Sequence, residues 1–140
     1  MSYADKTDML ERYEEKDLIQ LTDFAEPYTG EIVDEVLDKA LLDASSTIDL
    51  YLGGRYDLPL SSTPPALTNM CCTLAFYRLN RGRYTEDLRQ DYDDVIKRLE
   101  AISSGKIKID QGGGEPKSAA AIAKVDGPNR IFNRDSLKGF

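Results

Sequence analysis

Histidine and tryptophan are absent from the 140 residues, and cysteine occurs only as the adjacent pair Cys71-Cys72. Without histidine there is no Ser-His-Asp or Cys-His nucleophile system and no histidine-ligated zinc site. Neighbouring cysteines cannot readily bridge each other and supply no framework for a small secreted scaffold, which points to an intracellular protein. Long apolar runs are missing, and the start MSYADKTDML has neither a basic nor an apolar leader region, so export by a signal peptide and a membrane span are not expected. Basic charge is in short supply as well. The 18 Lys and Arg face 25 Asp and Glu, giving a net charge of −7 that disfavours general affinity for nucleic acid.

What is present suits one soluble domain with a modest core: 41% of residues are hydrophobic and 31% charged. The charge is unevenly spread. Residues 1–50 carry 14 acids and 4 bases, 51–105 carry 7 of each, and 106–140 carry 4 acids and 7 bases, so the segments stand at −10, 0 and +3. Such asymmetry suits head-to-tail contacts between copies, or a basic tail laid on an acidic surface.

Helical periodicity dominates the first three quarters of the chain. Thr7, followed by Asp8 and Glu11, is placed to cap a short helix, and residues 15–21 read as a second. Residues 22–30, with Pro27 and Gly30, read as a loop without the alternating oxygen ligands of a calcium site. From Glu31, the apolar residues Val33, Leu37, Leu41, Ala44, Ile48 and Tyr51 recur every three or four positions, predicting a long helix. It is expected to end at Gly53-Gly54, where glycine tolerates a left-handed turn. A proline-punctuated connector spans residues 55–65. Thr63 is the expected cap of the next helix, with Pro64-Pro65 in its first positions and Leu67, Met70, Cys71, Leu74 and Ala75 facing inward. Thr85 opens a last helix with the stripe Leu88, Tyr92, Val95, Ile96, Leu99 and Ile102, stopping at Gly105.

The expected architecture is therefore all-α: a small helical bundle over residues 1–105, followed by an extended C-terminal arm over 106–140 with room for short β segments at Ile107 and Ile109. The interior is expected to hold Val33, Leu37, Leu41, Ile48, Leu67, Leu74, Leu88, Val95, Ile96 and Leu99.

Candidate chemistry is sparse. Asp91, Asp93 and Asp94 share one helical turn but fan outward, and Glu31, Asp34, Glu35 and Asp38 suit a solvated face. The first set does not converge as acid-base catalysis or metal binding requires; in the second, Asp34 and Asp38 share a face with Glu31 or Glu35 by i,i+4 spacing, but with Lys39 and the surrounding acids an exposed surface suits them equally, and no catalysis is assigned there. Gly112-Gly113-Gly114 lacks the Lys-Ser or Lys-Thr of a phosphate loop and reads as a hinge. The cysteines sit on an apolar face, where they act as small hydrophobes. Arg78, Arg81 and Arg83, interleaved with Tyr77 and Tyr84, can either fork onto phosphates or pair with the chain's many acids. No catalytic centre, cofactor or metal is expected.

Two segments remain as contact surfaces. In the connector, Tyr56, Leu58 and Leu60 alternate with Asp57 and Pro59 and so can present an apolar ridge to a neighbour. At the C-terminus, Ile131, Phe132, Leu137 and Phe140 supply apolar anchors and Arg130, Arg134 and Lys138 supply charge. That stretch is too short to fold alone, so it binds a partner or docks back on its own bundle.

Three strings bear on identity: Asp17-Leu18-Ile19-Gln20-Leu21-Thr22-Asp23; then Ile48-Asp49-Leu50-Tyr51-Leu52 leading to Arg55-Tyr56-Asp57-Leu58-Pro59-Leu60; and the terminal Phe132-Asn133-Arg134-Asp135-Ser136-Leu137-Lys138-Gly139-Phe140. Their order and spacing resemble the Mu-like phage and prophage family of small head-tail connector proteins, also called adaptor or head-completion proteins. The resemblance implies a structural virion protein at the neck, assembled in the bacterial host cytoplasm. Its implied partners are further copies of itself in a ring, twelve-fold like a portal, the portal protein, and a tail-side neck or tail-terminator protein. DNA is implied only as passing cargo, and no membrane partner is implied. The reading from another class is a nucleic-acid-binding accessory module built on the arginines and the basic tail; a third is an enzyme that works with carboxylates alone.

Overall fold

The computed structural model describes residues 2–109. The C-terminal contact residues Arg130, Ile131, Phe132, Arg134, Leu137, Lys138 and Phe140 lie outside the described residues.

Five helices follow one another: α1 (Lys6–Arg12), α2 (Glu15–Thr22), α3 (Asp34–Leu52), α4 (Pro65–Leu79) and α5 (Glu86–Ser103). There is no strand among the described residues, and the alternation at Ile107 and Ile109 does not form one. Ile109 instead donates its N–H to the Tyr56 hydroxyl at 3.0 Å. All-α architecture is thus the fold of this region.

Local capping corrects several expected boundaries. Asp5, not Thr7, caps α1. The Asp8 N–H donates to Asp5 Oδ1 at 3.0 Å, and the Asp5 N–H donates to Asp8 Oδ2 at 2.9 Å. This reciprocal box satisfies two otherwise unpaired N–H groups and places carboxylates at the positive end of the helix, more than a threonine hydroxyl can do. Helix α3 starts at Asp34 rather than Glu31, because the Val33 N–H is taken by Thr22 Oγ1 at 3.0 Å. Its end is not left-handed: Gly53 has φ −60°, and the Arg55 and Tyr56 N–H groups both bond back to the Leu52 carbonyl. Pro64 occupies the cap of α4 and Pro65 its first position, so Thr63 lies one residue too early to cap. A proline at the first position needs no cap for the N–H it lacks. Thr85 does cap α5, accepting from the Leu88 N–H at 3.1 Å.

Helix α4 is the centre of the bundle. It packs against α3, α5 and α1, and buries Leu67, Met70, Cys71, Cys72, Leu74, Ala75 and Leu79. A helix enclosed on several sides is apolar around most of its circumference rather than along one stripe. Leu37, Leu41, Ala44, Ile48 and Leu52 of α3 and Val95, Leu99 and Ile102 of α5 close the core. Val33, Leu88 and Ile96, expected inside, are only partly buried, because each lies at the edge of its helix's inward stripe.

The segment ahead of α1 is a strap between α3 and α4. Tyr3 and Ala4 are buried, the Tyr3 N–H donates to Ser45 Oγ at 3.0 Å, and Thr68 Oγ1 donates to the Tyr3 carbonyl at 2.9 Å. The Tyr3 hydroxyl donates to the Asp49 carboxylate. Asp23 closes the loop after α2 by accepting from the Thr29 and Gly30 N–H groups, with Gly30 at φ +74° where glycine is favoured.

Candidate docking surface

The connector ridge does not form as expected. Tyr56 and Leu60 are buried, at 1% and 5% exposure, and only Leu58 faces out. Alternation along a strand needs extended backbone, whereas here the chain curls back after Leu52 and turns Tyr56 into the core. The Tyr56 hydroxyl, accepting from Ile109, then ties the end of α5 to the connector. These two side chains therefore hold the bundle together and are not free surface.

Exposed apolar surface lies instead on the outer face of α3. Leu42 is 52% and Leu50 83% exposed, eight residues apart with exposed Ser46 midway. At 3.6 residues per turn these positions share a face, and Gly53 continues it. The Leu58 side chain lies beside Gly53, extending the stripe past the helix end. Glu35, Asp38, Asp43 and Asp49, together with the one base Lys39, flank it on the same helix. The strong inward periodicity of α3 overlies this second set in the sequence. The signal in the sequence is that Leu42 and Leu50 fall outside the inward series of α3 and, with Ser46, share its opposite face.

A second feature gathers at the α4–α5 corner. Tyr84 stacks on Tyr77, and Tyr77 on Tyr92, each with ring centroids 4.2 Å apart. Arg89 lies over Tyr84, and Arg81, at φ +43°, sits 4.1 Å from the centre of the Phe24 ring. Arg78 donates to Thr47 Oγ1 at 3.3 Å. Between this corner and α3 lies an open cleft of about 480 Å³, lined in part by Glu35, Lys39, Asp43, Arg78, Arg81 and Tyr84. Among the described residues the ion pairs are Lys6–Asp34 and Lys16–Glu14, so none of these arginines pairs with an acid there. Aromatic rings hold Arg81 and Arg89, and the Thr47 hydroxyl holds Arg78.

The remaining chemistry-bearing groups are enclosed. Cys71 and Cys72 are fully buried, and burial pushes both thiols up, Cys72 to about 12. Cys71 Sγ lies 3.4 Å from Ser45 Oγ inside the core. A protonated, inaccessible thiol is packing material rather than a nucleophile. Burial, and then the hydrogen bond to Asp49, likewise raise Tyr3 above the ordinary tyrosine value. Among the described residues no cluster of cysteine and carboxylate side chains is arranged to hold a metal ion, and Asp91, Asp93 and Asp94 do not converge. No helix among them is long and apolar enough to cross a membrane.

The described body is all-helical, with exposed leucines along one face of α3. Sequence comparison is more specific. Residues 3–126 match the family described as Bacteriophage Mu, Gp36. The Mu-like prophage FluMu protein gp36 of Haemophilus influenzae is 38% identical over 140 residues, covering 99% of this chain and 97% of that protein. Gene product J of Escherichia phage Mu is 35% identical over 147 residues, covering 100% of this chain and 99% of that one. The chain belongs to the bacteriophage Mu Gp36 family and is a protein of phage or prophage origin.

Proposed function

We propose that this chain is a structural virion protein: a head–tail connector, or adaptor, that assembles as a twelve-fold ring beneath the portal and joins the DNA-filled capsid to the tail. The observation that carries the reading is the α3 stripe, where Leu42 and Leu50 are more than half exposed on a chain with ample polar residues to cover them. Exposed leucines aligned on one helix face suit a surface that is covered in an assembly. Membership of a Mu-like phage family supports a place in the particle, and the five strings of helix give a rigid building block. A conduit for DNA requires no cofactor, nucleophile or metal. It benefits from net negative charge, here −7, because repulsion keeps the phosphates from adhering to the wall as they pass. The portal and a tail-side neck or terminator protein are the proposed neighbours, at the neck of the particle.

The test is imaging and composition of intact particles, together with co-expression of this chain and the phage's portal protein. The expected result is a ring of this chain seated on the portal and particles without tails when the gene is deleted. A chain that is missing from particles, or dispensable for tailed ones, would sink the reading.

The arginine corner supports a second reading, a nucleic-acid-binding accessory module. Its observation is that Arg78, Arg81, Arg83 and Arg89 surround stacked tyrosines and form no ion pair among the described residues. Backbone contacts of this kind weaken steeply with salt. Binding of the isolated chain to DNA that falls with salt and is lost in Arg81→Glu favours this reading; absence of binding at low salt removes it.

A further inference from the structure

The α3 stripe has a mainly acidic rim. Its apolar floor is Leu42, Leu50 and Leu58, while Glu35, Asp38 and Asp43 lie beside it along the helix, with Lys39 the one base of α3 among them. The chain's own C-terminal sequence has the opposite character: residues 130–140 hold Ile131, Phe132, Leu137 and Phe140 among Arg130, Arg134 and Lys138, with Asp135 the one acid. Apolar anchors match the floor and basic side chains match the rim, which is the pairing that favours both affinity and register.

The exit of the chain places that sequence within reach. The last described residue, Ile109, is bonded to the Tyr56 hydroxyl, and the Tyr56 N–H is bonded to the Leu52 carbonyl at 2.8 Å, so the described chain ends beside the C-terminal end of α3. Twenty residues separate Ile109 from Arg130. A stretch of that length spans at most about 70 Å, against a length of about 28 Å for α3 itself. Residues 130–140 can therefore reach the stripe of an adjoining copy.

We propose that the α3 stripe is the seat of residues 130–140 from the neighbouring copy. This rests on the ring reading above and supplies what that reading needs. A closed ring is built from two different, complementary surfaces, one on each side of every subunit, and the acidic-rimmed stripe and the basic segment are such a pair. Contact in this sense carries each subunit onto the next without exposing either apolar surface at a free edge.

The experiment uses two full-length variants, Leu50→Cys and Leu137→Cys, mixed, assembled and oxidised. The native Cys71 and Cys72 are buried with raised pKa values and stay out of the reaction. Leu50 is largely exposed, so its replacement leaves the fold intact, which circular dichroism checks. The expected result is a disulfide-linked pair containing one chain of each kind, formed roughly tenfold more than from a control mixture of Leu10→Cys and Leu137→Cys, because seating raises the effective concentration of the thiols. Chains ending at Asn129 are expected to lose ring assembly. Rings that form normally but give no excess link overturn this inference and leave the connector reading standing. A link found only within single chains, in the doubly substituted Leu50→Cys, Leu137→Cys protein, also overturns it. Absence of any ring under all conditions overturns both.

Discussion

Gly105 is held by two constraints at once. Its φ is +89°, and a Cβ there would lie 2.5 Å from Arg55 Nη2, whose guanidinium crosses the end of α5. Gly105→Ala is expected to cost about 1–3 kcal/mol, read from the urea midpoint, since both backbone strain and displacement of Arg55 oppose the new methyl. In the core, Leu99→Ala is expected to cost about 2–5 kcal/mol, and Leu88→Ala clearly less, because Leu99 is fully enclosed and Leu88 only partly so. Ionisation adds a pH signature. Burial raises the Cys72 thiol from 9.0 to about 12, so between those values the unfolded chain releases a proton that the folded chain keeps. Fewer protons bound in the unfolded state means that stability is intact below pH 9.0 and falls as pH rises through this window, with Tyr3 adding to the fall from 10.0 upward. Urea midpoints measured across the range test this, and Cys72→Ala is expected to flatten the fall.

Helix ends and helix faces respond differently to substitution. Asp5→Ala removes the α1 cap and is expected to cost about 0.5–2 kcal/mol, whereas Thr7→Ala, inside the helix and exposed, is expected to be close to neutral in the same denaturation assay. Thr22 joins two helices, donating to the Leu18 carbonyl and accepting from the Val33 N–H. Thr22→Val leaves that N–H unpaired near the start of α3 and is expected to destabilise by about 1–3 kcal/mol. Around the connector, the outcome separates surface from core. Leu50→Ser is expected to leave the melting temperature nearly unchanged, while Tyr56→Ser lowers it markedly, because the phenol fills the core and holds Ile109.

The molecule as a whole depends on its N-terminal strap. Tyr3 is bonded to Ser45, Asp49 and Thr68, linking α3 to α4 across more than forty residues of sequence in each case. Tyr3→Ala is expected to cost about 3 kcal/mol and to lower the urea midpoint of the entire bundle rather than of α1 alone. A chain ending at Asn129 is expected to keep its helical circular dichroism, since the described core is closed by residues between Tyr3 and Ile109. Its deficit belongs to assembly, and native mass measurement of the oligomer reads it.

Helix number, order and approximate extent were legible in the sequence because an amphipathic helix writes its inward face as a 3.6-residue repeat, as α3 and α5 do, while α4 reads as an apolar run opened by Pro64-Pro65. The absence of histidine, the scattered carboxylates and the family strings were legible for the same reason: each is a property of the chain's order alone. Tertiary structure decided the rest. Whether Asp5 or Thr7 caps α1 depends on backbone angles that neither residue type dictates, and the start of α3 depends on Thr22 reaching Val33 across a loop. Tyr3 has no periodic partner near it in sequence, so its burial is visible only once α3 and α4 form a groove. Tyr56 and Leu60 alternate with polar residues in just the manner of an exposed ridge, yet the turn after Leu52 swings them inward. The same folding leaves Leu42 and Leu50 outside, since α3 buries only the faces turned to α1, α2, α4 and α5, and which apolar residues stay exposed is settled by packing geometry and not by hydrophobicity.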